Sequence, residues 1–193
     1  MSLSLRRRGA RFLVAASFGV GGNQDKRLPD PFEERLLSRL IDEGSTLILD
    51  SGFGDEEAAR AKHLAERLRS RGCAVFELDA RNSGDFVEKN GAPCHLITWQ
   101  GEIGPFAALI GASDQYIGYD SSGQHLAAAL GVPAIDIFAG NTTPIFRERW
   151  TPSGRAPVEV IAQSDPDAAL EEAISRHKTI LASSPAKSQS LLK

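Results

Sequence analysis

Cysteine, aromatic residues and long apolar runs are all scarce in this chain of 193 residues. Two cysteines cannot form a disulfide framework or a metal-ligand cluster by themselves, so we interpret Cys73 and Cys94 as reduced thiols with a packing role. The apolar runs, such as Phe12–Ser17, are too short to cross a bilayer. The basic leader Met1–Arg8 is not followed by the apolar core of a signal peptide, and the sequence therefore predicts a cytoplasmic protein.

Neither sign of charge dominates, since 22 Lys and Arg stand against 25 Asp and Glu. This balance disfavours a dedicated nucleic-acid binder. The histidines, at positions 63, 95, 125 and 177, lack the spacing of zinc ligands. Asp165-Pro-Asp167 has the spacing of a metal-binding pair, but a helix cap followed by proline at the first helical position explains it better. We therefore predict no bound metal and no other cofactor.

Short apolar runs alternate with longer segments of helical spacing. The runs predicted as strands are 11–17, 46–50, 73–78, 95–99, 115–119, 133–138 and 158–162. The segments predicted as helices are 32–41, 55–71, 104–111, 122–130 and 166–181. This alternation is typical of an α/β fold, a doubly wound parallel sheet with helices on both faces. We predict one domain over residues 11–181, between a tag or linker at 1–10 and a flexible tail at 182–193.

Ligands of doubly wound sheets bind at the carboxyl ends of the strands, in the loops that lead into helices. The most informative such loop starts at Asp120, where Ser121, Ser122 and Gly123 open a helix. Free N–H groups and the helix dipole would form an anion site there. The alternative is an ordinary helix cap. His125 would either donate to a phosphate or bond a carbonyl in the core.

The Gly-rich loop Gly19–Arg27 follows the first predicted strand. Its Lys26 and Arg27 could bring cations to a diphosphate, although for the loop taken alone a solvated turn with surface charges is the better interpretation. It is not a Walker loop, because no Gly-Lys-Ser/Thr opens the helix.

Glycines and then acidic residues follow the next strand, in the segment Asp50–Glu57. A carboxylate here could accept hydrogen bonds from both hydroxyls of a ribose. The alternative is that Asp55, Glu56 and Glu57 complement the dipole of the helix that they start.

These three loops, in this order, resemble the C-terminal domain of the ADP-heptose:lipopolysaccharide heptosyltransferases, glycosyltransferase family 9, which has the Rossmann-like GT-B architecture. The likeness extends over about Arg11–Trp150. Its most specific part is Asp-Ser-Ser-Gly-Gln-His-Leu-Ala-Ala-Ala-Leu-Gly-Val-Pro at 120–133, followed by Phe-Ala-Gly-Asn-Thr-Thr-Pro at 138–144. The family pattern has one serine or threonine before the glycine, so either Ser121 or Ser122 is the equivalent hydroxyl.

The resemblance implies a set of donor-binding residues: Lys26, Glu56, Asp120, Ser121, Ser122, Gly123 and His125. Lys26 would meet the donor phosphates, although Leu28-Pro29 replaces the family's Trp-Pro. Glu56 would bind the ribose, residues 99–102 the adenine, and Asp120 the sugar. The helix-opening residues and the histidine would bind the diphosphate. We expect Lys26, Glu56 and Asp120 to be accessible at the surface.

The implied function is donor binding in an inverting glycosyltransferase, with ADP-heptose-type transfer to the lipopolysaccharide core. In this architecture the acceptor domain is N-terminal and supplies the general base, and nothing in this sequence matches it. The isolated chain is then expected to be inactive, and only the full-length enzyme would contact the membrane, peripherally. Two alternatives are half of a nucleotide-sugar epimerase or hydrolase, and a non-catalytic nucleotide-binding module.

Overall fold

The computed structural model describes residues 10–79, 81, 94–140 and 142–183. Within these residues seven strands form one parallel sheet of order β3-β4-β2-β1-β5-β6-β7. The strands are β1 Phe12–Ser17, β2 Ser45–Asp50, β3 Val75–Asp79, β4 Leu96–Gln100, β5 Gln115–Tyr119, β6 Ala134–Phe138 and β7 Val158–Ala162. The doubly wound α/β fold predicted from the sequence is confirmed.

Six α-helices accompany this sheet in the described part of the chain. They are α1 Phe32–Asp42, α2 Asp55–Ser70, α3 Ile103–Gly111, α4 Ser122–Leu130, α5 Pro144–Trp150 and α6 Pro166–Ser183. Helices α1, α2 and α6 pack on one face of the sheet. Helices α3 and α4 pack on the other face. The sheet is therefore covered on both sides, as fully buried parallel strands require.

Strand β1 shows why these residues form a central strand. Its side chains alternate between the two cores, with Phe12, Val14 and Ala16 on the α1 side and Leu13 and Ala15 on the α3 side. All six residues of the strand are buried. A continuous apolar run, rather than alternation of polar and apolar residues, is what burial on two faces demands.

The sequence prediction missed two elements. Helix α5 begins at Pro144, in a segment for which the sequence predicted neither helix nor strand, and Thr143 caps it through a hydrogen bond from the Phe146 N–H. A 3₁₀ turn, Gln24–Lys26, lies in the Gly-rich loop after β1. Both elements are too short for apolar periodicity to reveal them, but threonine before proline is a recognisable helix start.

The outermost predicted segments are only partly described. The last predicted helix ends at Ser183, two residues beyond the predicted end of the domain. Most of the linker at 1–10, most of the tail at 182–193, and the polar loop through Asn82, Gly84 and Asn90 lie outside the described residues.

Candidate functional site

A cavity of about 340 Å³ opens at the carboxyl edge of the sheet, where a doubly wound fold binds its ligands. Residues at or just past the ends of four strands contribute to it, namely Ser17, Asp50, Gly101 and Asp120. The complete lining is Ser17, Gly19, Val20, Gly21, Lys26, Asp50, Gly52, Phe53, Glu57, Gly101, Ile103, Phe106, Asp120, Ser121 and Ser122. All three loops selected from the sequence therefore meet at one cavity.

Lys26 forms the cationic wall of this cavity. The 3₁₀ turn presents its side chain, which is about one-third exposed, to Asp120 across the loop after β5. The Nζ lies 2.9 Å from Asp120 Oδ2 and 3.4 Å from the Asp120 carbonyl oxygen. Lys26 also lies over the Phe146 ring of α5, 5.9 Å from its centre. An ammonium group is thus held at the cavity while part of it remains open to a ligand.

Buried polar contacts fix the chain just after Lys26. The Leu28 N–H donates to the hydroxyl oxygen of Tyr119 at 3.1 Å. Arg27 pairs with buried Glu33 at 3.0 Å, and Arg60 of α2 reaches the same carboxylate at 2.6 Å. Burial raises the pKa of Glu33, and the two arginines oppose that rise.

These contacts correct the sequence interpretation of Arg27. Its guanidinium is nearly buried against Glu33, and it is not among the residues that line the cavity. Arg27 therefore stabilises the loop, whereas Lys26 faces the cavity. The sequence missed Glu33 because a carboxylate in the first turn of a helix normally complements the helix dipole.

Helix α4 starts at the cavity without a side-chain cap. Ser121 occupies the N-cap position in an extended conformation, but its side chain makes no capping hydrogen bond. Ser121 and Ser122 both line the cavity. The first turn of an uncapped helix leaves N–H groups without intrahelical partners, and it carries the positive end of the helix dipole. The capping alternative considered for Ser121 is therefore not what the structure shows.

Asp120 is more enclosed than expected. Its residue is only 6% exposed, so the expectation of surface accessibility was wrong for this position. Besides Lys26, its carboxylate accepts a hydrogen bond from the Gln124 side chain at 2.9 Å. Gln124 is completely buried and also donates to the Trp150 carbonyl at 3.2 Å. The sequence analysis did not single out Gln124, although its spacing of four residues from Asp120 permits this contact.

His125 lies beside the site rather than in its wall. It is exposed, and it is absent from the lining of the cavity. Its ring makes an edge contact with Trp150 at a centroid distance of 6.5 Å. Its ring contacts the Gln124 side chain rather than a core carbonyl, and its contact with a phosphate remains a prediction.

The loop after β2 places neighbouring carboxylates differently. Glu56 is exposed and accepts a hydrogen bond from the Gln24 side chain. Glu57 lines the cavity and accepts hydrogen bonds from the Val20 and Phe53 N–H groups, each at 3.2 Å. Glu57 therefore connects the first loop to the second, whereas Glu56 is not among the residues that line the cavity.

Asp50, at the end of β2, is a further ionisable group of the cavity. Burial raises its pKa to about 6, and the Glu57 carboxylate adds to this rise. The Gly52 N–H and the Ser17 hydroxyl donate to it and limit the increase. The sequence analysis named Asp50 only as the first residue of its loop and assigned it no role.

An apolar wall lies on the β4 side of the cavity. It is formed by Phe53, which is 98% exposed, together with Ile103 and Phe106. Gly101 contributes backbone, and its position leaves no room for a side chain, because a Cβ there would lie 2.7 Å from the ring of buried Trp99. The segment 99–102, to which the resemblance assigns the adenine, thus adjoins an apolar surface that an aromatic base could contact.

Metal ligands do not cluster in the described ranges, where no group of three His, Cys, Asp or Glu side chains could hold an ion. Asp165 accepts a hydrogen bond from the Ala168 N–H at 2.7 Å, as a helix cap does. Asp167 pairs with Arg35. The interpretation of this pair as a helix start is confirmed. None of the described helices is long and apolar enough to cross a membrane.

Comparison with known proteins gives a family match. The model of glycosyltransferase family 9 (heptosyltransferase) matches residues 92–175. This segment contains Asp120 and the start of α4, but not Lys26 or Glu56. No curated protein shows a significant match.

Solved structures of this family share the fold. The E. coli heptosyltransferase WaaC with ADP is 18% identical, with a TM-score of 0.59, and the match covers 88% of this chain and 44% of that chain. The family 9 glycosyl transferase from Veillonella parvula DSM 2008 gives 16% identity and a TM-score of 0.62, over 94% and 50% of the two chains. E. coli ADP-heptose lps heptosyltransferase II is 22% identical, with a TM-score of 0.56, and the match covers 92% of this chain and 51% of that chain.

This chain spans about half the length of these three proteins. At such identities the structural likeness establishes the fold alone, whereas the family model matches the sequence itself. The chain therefore carries a domain like that of the family 9 heptosyltransferases, and the resemblance predicted from its loop motifs is confirmed.

Proposed function

We propose that the cavity binds a nucleoside diphosphate sugar, the donor substrate of a family 9 glycosyltransferase. The observation that carries this proposal is the arrangement around the cavity. An ammonium group and an uncapped helix start form one wall, and an apolar surface forms another. A diphosphate suits the first wall because both features attract negative charge. A flat aromatic base suits the second.

Adenine is the base that we propose. The E. coli heptosyltransferase WaaC, whose fold this chain shares, was solved with ADP. The segment to which the family resemblance assigns the base adjoins Ile103 and Phe106. Exposed Phe53 offers a further aromatic face at the same wall.

The proposed chemistry is inverting transfer with a diphosphate leaving group. Lys26 and the start of α4 would stabilise the negative charge that develops on the departing diphosphate, and preorganised positive groups are an effective way to lower such a barrier. Asp120, which pairs with Lys26, would then orient either the cation or the sugar.

We further propose that the acceptor and the general base belong to another domain. The chain covers 44–51% of the three solved family members described above, which is consistent with one domain of two. We expect the acceptor to be a lipopolysaccharide core, the setting to be cytoplasmic, and the isolated chain to transfer no sugar, because holding both reactants together provides much of any transfer rate.

Calorimetry with ADP, UDP, GDP and CDP in EDTA tests the donor site. We expect ADP to bind most tightly. The variant Lys26→Ala should lose about tenfold in affinity, because a charge-assisted bond contributes roughly 1.5–3 kcal/mol. Lys62→Ala is the matched control, since Lys62 is an exposed lysine of α2 that does not line this cavity. Failure of all four nucleotides to bind the folded protein would contradict the proposal.

A further inference from the structure

Asp136 is a carboxyl group in the interior of the sheet, beneath the cavity. It lies at the centre of β6, opposite Gly118 of β5. The residue is completely buried, and neither carboxylate oxygen has a hydrogen-bond partner in the described part of the protein. A buried carboxylate is normally ionised only where hydrogen bonds or an opposite charge replace its lost hydration. Asp136 has no such hydrogen bond in the described part of the protein.

The charged groups around Asp136 are two residues of the proposed donor site. The charge of Asp120, past the end of β5, raises the pKa of Asp136, and the charge of Lys26, in the 3₁₀ turn, lowers it. Among the described residues, buried Tyr116 of β5 is a further titratable neighbour. Lys26 is already paired with Asp120 at 2.9 Å. The ammonium group of Lys26 therefore contacts Asp120 and acts on Asp136 only through its charge.

The charges of Asp120 and Lys26 affect whether Asp136 is protonated. With Asp120 ionised against Lys26, ionising Asp136 as well would add a buried negative charge without a partner of its own. Burial, with the Asp120 charge adding to it, raises the pKa of Asp136 to about 8. At neutral pH Asp136 is then mostly protonated, and the Lys26–Asp120 pair is electrically balanced.

We infer that Asp136 is a positioning residue that keeps the diphosphate subsite free of net negative charge by holding a proton. This inference rests on the proposed function. A bound diphosphate brings negative charges to Lys26, and an ionised Asp136 beneath would repel them through a medium that screens poorly. Loss of the proton should therefore weaken nucleoside diphosphate binding, and binding should in turn favour protonation of Asp136.

The variant Asp136→Asn tests this inference, because asparagine keeps the shape of a protonated aspartate and cannot ionise. ADP affinity should be measured by calorimetry between about pH 7 and about pH 9.5 for both proteins. We expect wild-type affinity to fall about tenfold relative to Asp136→Asn over this range, the equivalent of one pKa unit of coupling. Titration of ADP itself is common to both proteins and cancels in the ratio.

Proton uptake gives a second readout that simple repacking would not change. Calorimetry near pH 8.5, in buffers of different ionisation enthalpy, should show protons taken up when wild-type protein binds ADP and markedly fewer for Asp136→Asn. Adenosine, which lacks phosphate, should bind both proteins alike. Ile135→Val is the control for altered packing of β6, since Ile135 packs in the core on the opposite face of the sheet. It should retain the wild-type pH dependence.

The outcomes separate the two proposals. If both proteins bind ADP with the same pH dependence and the same proton uptake, the role of Asp136 is rejected while the nucleotide site stands. If neither protein binds ADP at any pH, the proposed function is rejected and the coupling is rejected with it.

Discussion

The ammonium group of Lys26 and the carboxylate of Asp120 lie 2.9 Å apart, although 94 residues separate them in the sequence. The family resemblance assigned the lysine to the donor phosphates and the aspartate to the sugar. In the structure they form one ion pair, and the aspartate side chain is nearly inaccessible. Substitutions at these positions should therefore not act independently.

Lys26→Met should destabilise the protein, because it leaves the buried Asp120 carboxylate without its cation. Lys26 is partly exposed, so we expect a loss of about 2 kcal/mol in the free energy of unfolding, below the range for fully buried pairs. The double variant Lys26→Met/Asp120→Asn should recover most of this loss. Urea denaturation of the two variants and the wild type measures both effects. Equal stability of the single and double variants would contradict the expected rescue.

Substitutions of the neighbouring glutamates should have different effects. Glu57→Gln should cost about 1–2 kcal/mol, because an amide has one accepting oxygen where the carboxylate accepts from both the Val20 and Phe53 N–H groups. Glu56→Gln should leave stability unchanged, since Glu56 is exposed. Thermal and urea unfolding of both variants test this contrast. A stable Glu57→Gln protein would mean that the two loops hold their positions without this carboxylate.

Glu56 tests the proposed ribose contact. If Glu56 accepts from the ribose hydroxyls, Glu56→Ala should weaken ADP and AMP equally, by about tenfold. Lys26→Ala should weaken ADP more than AMP, because only ADP carries the second phosphate. Calorimetry of both nucleotides with both variants distinguishes these patterns. Unchanged affinities for Glu56→Ala would reject the ribose contact and leave Glu56 with only its hydrogen bond from Gln24.

The sheet and the edge at which the candidate cavity lies could be predicted from the sequence, because both depend on local patterns. Apolar runs specify buried parallel strands, and the ends of such strands share one edge. Which side chain faces the cavity depends on tertiary contacts that these patterns do not encode. Glu56 and Glu57 have the same chemistry, and only their tertiary surroundings distinguish them, such as the hydrogen bond from the Val20 N–H to Glu57. Asp136 lies within an apolar strand motif and has no local signature of its environment.

His177 should make the stability of the fold sensitive to acid. It is completely buried between Ser45, 3.2 Å from Nε2, and Gln115, 2.6 Å from Nδ1. Burial lowers its pKa from 6.5 to about 4, so the folded state favours the neutral ring. The resulting contribution to stability is complete above about pH 6.5 and is lost as the pH falls towards 4.

Between about pH 7 and about pH 5 this titration should remove about 2 kcal/mol from the free energy of unfolding. His177→Gln, which cannot titrate, should lose less over the same interval, whereas wild type and the exposed control His63→Gln should behave alike. Urea unfolding at both pH values provides the comparison. Parallel losses in wild type and His177→Gln would assign the acid sensitivity to other groups.

Gly123, the glycine of the motif that opens α4, is required by the packing of the folded protein. A Cβ at this position would lie 2.2 Å from the Tyr116 hydroxyl oxygen, and one at Gly118 would lie 2.3 Å from the Ser17 carbonyl oxygen. We expect each alanine substitution to destabilise the fold by about 1–3 kcal/mol, the usual cost of overpacking. Urea unfolding in the absence of nucleotide isolates this effect from any phosphate contact.

Tyr116→Phe should distinguish the two glycines. It removes the atom nearest to a Cβ at 123, although Cζ at 2.6 Å remains close, so it should partly rescue Gly123→Ala. It should not rescue Gly118→Ala, because the main clash there is with the backbone of β1. The measured quantity is the coupling energy of each double-mutant cycle. Equal coupling in the two cycles would contradict the packing argument.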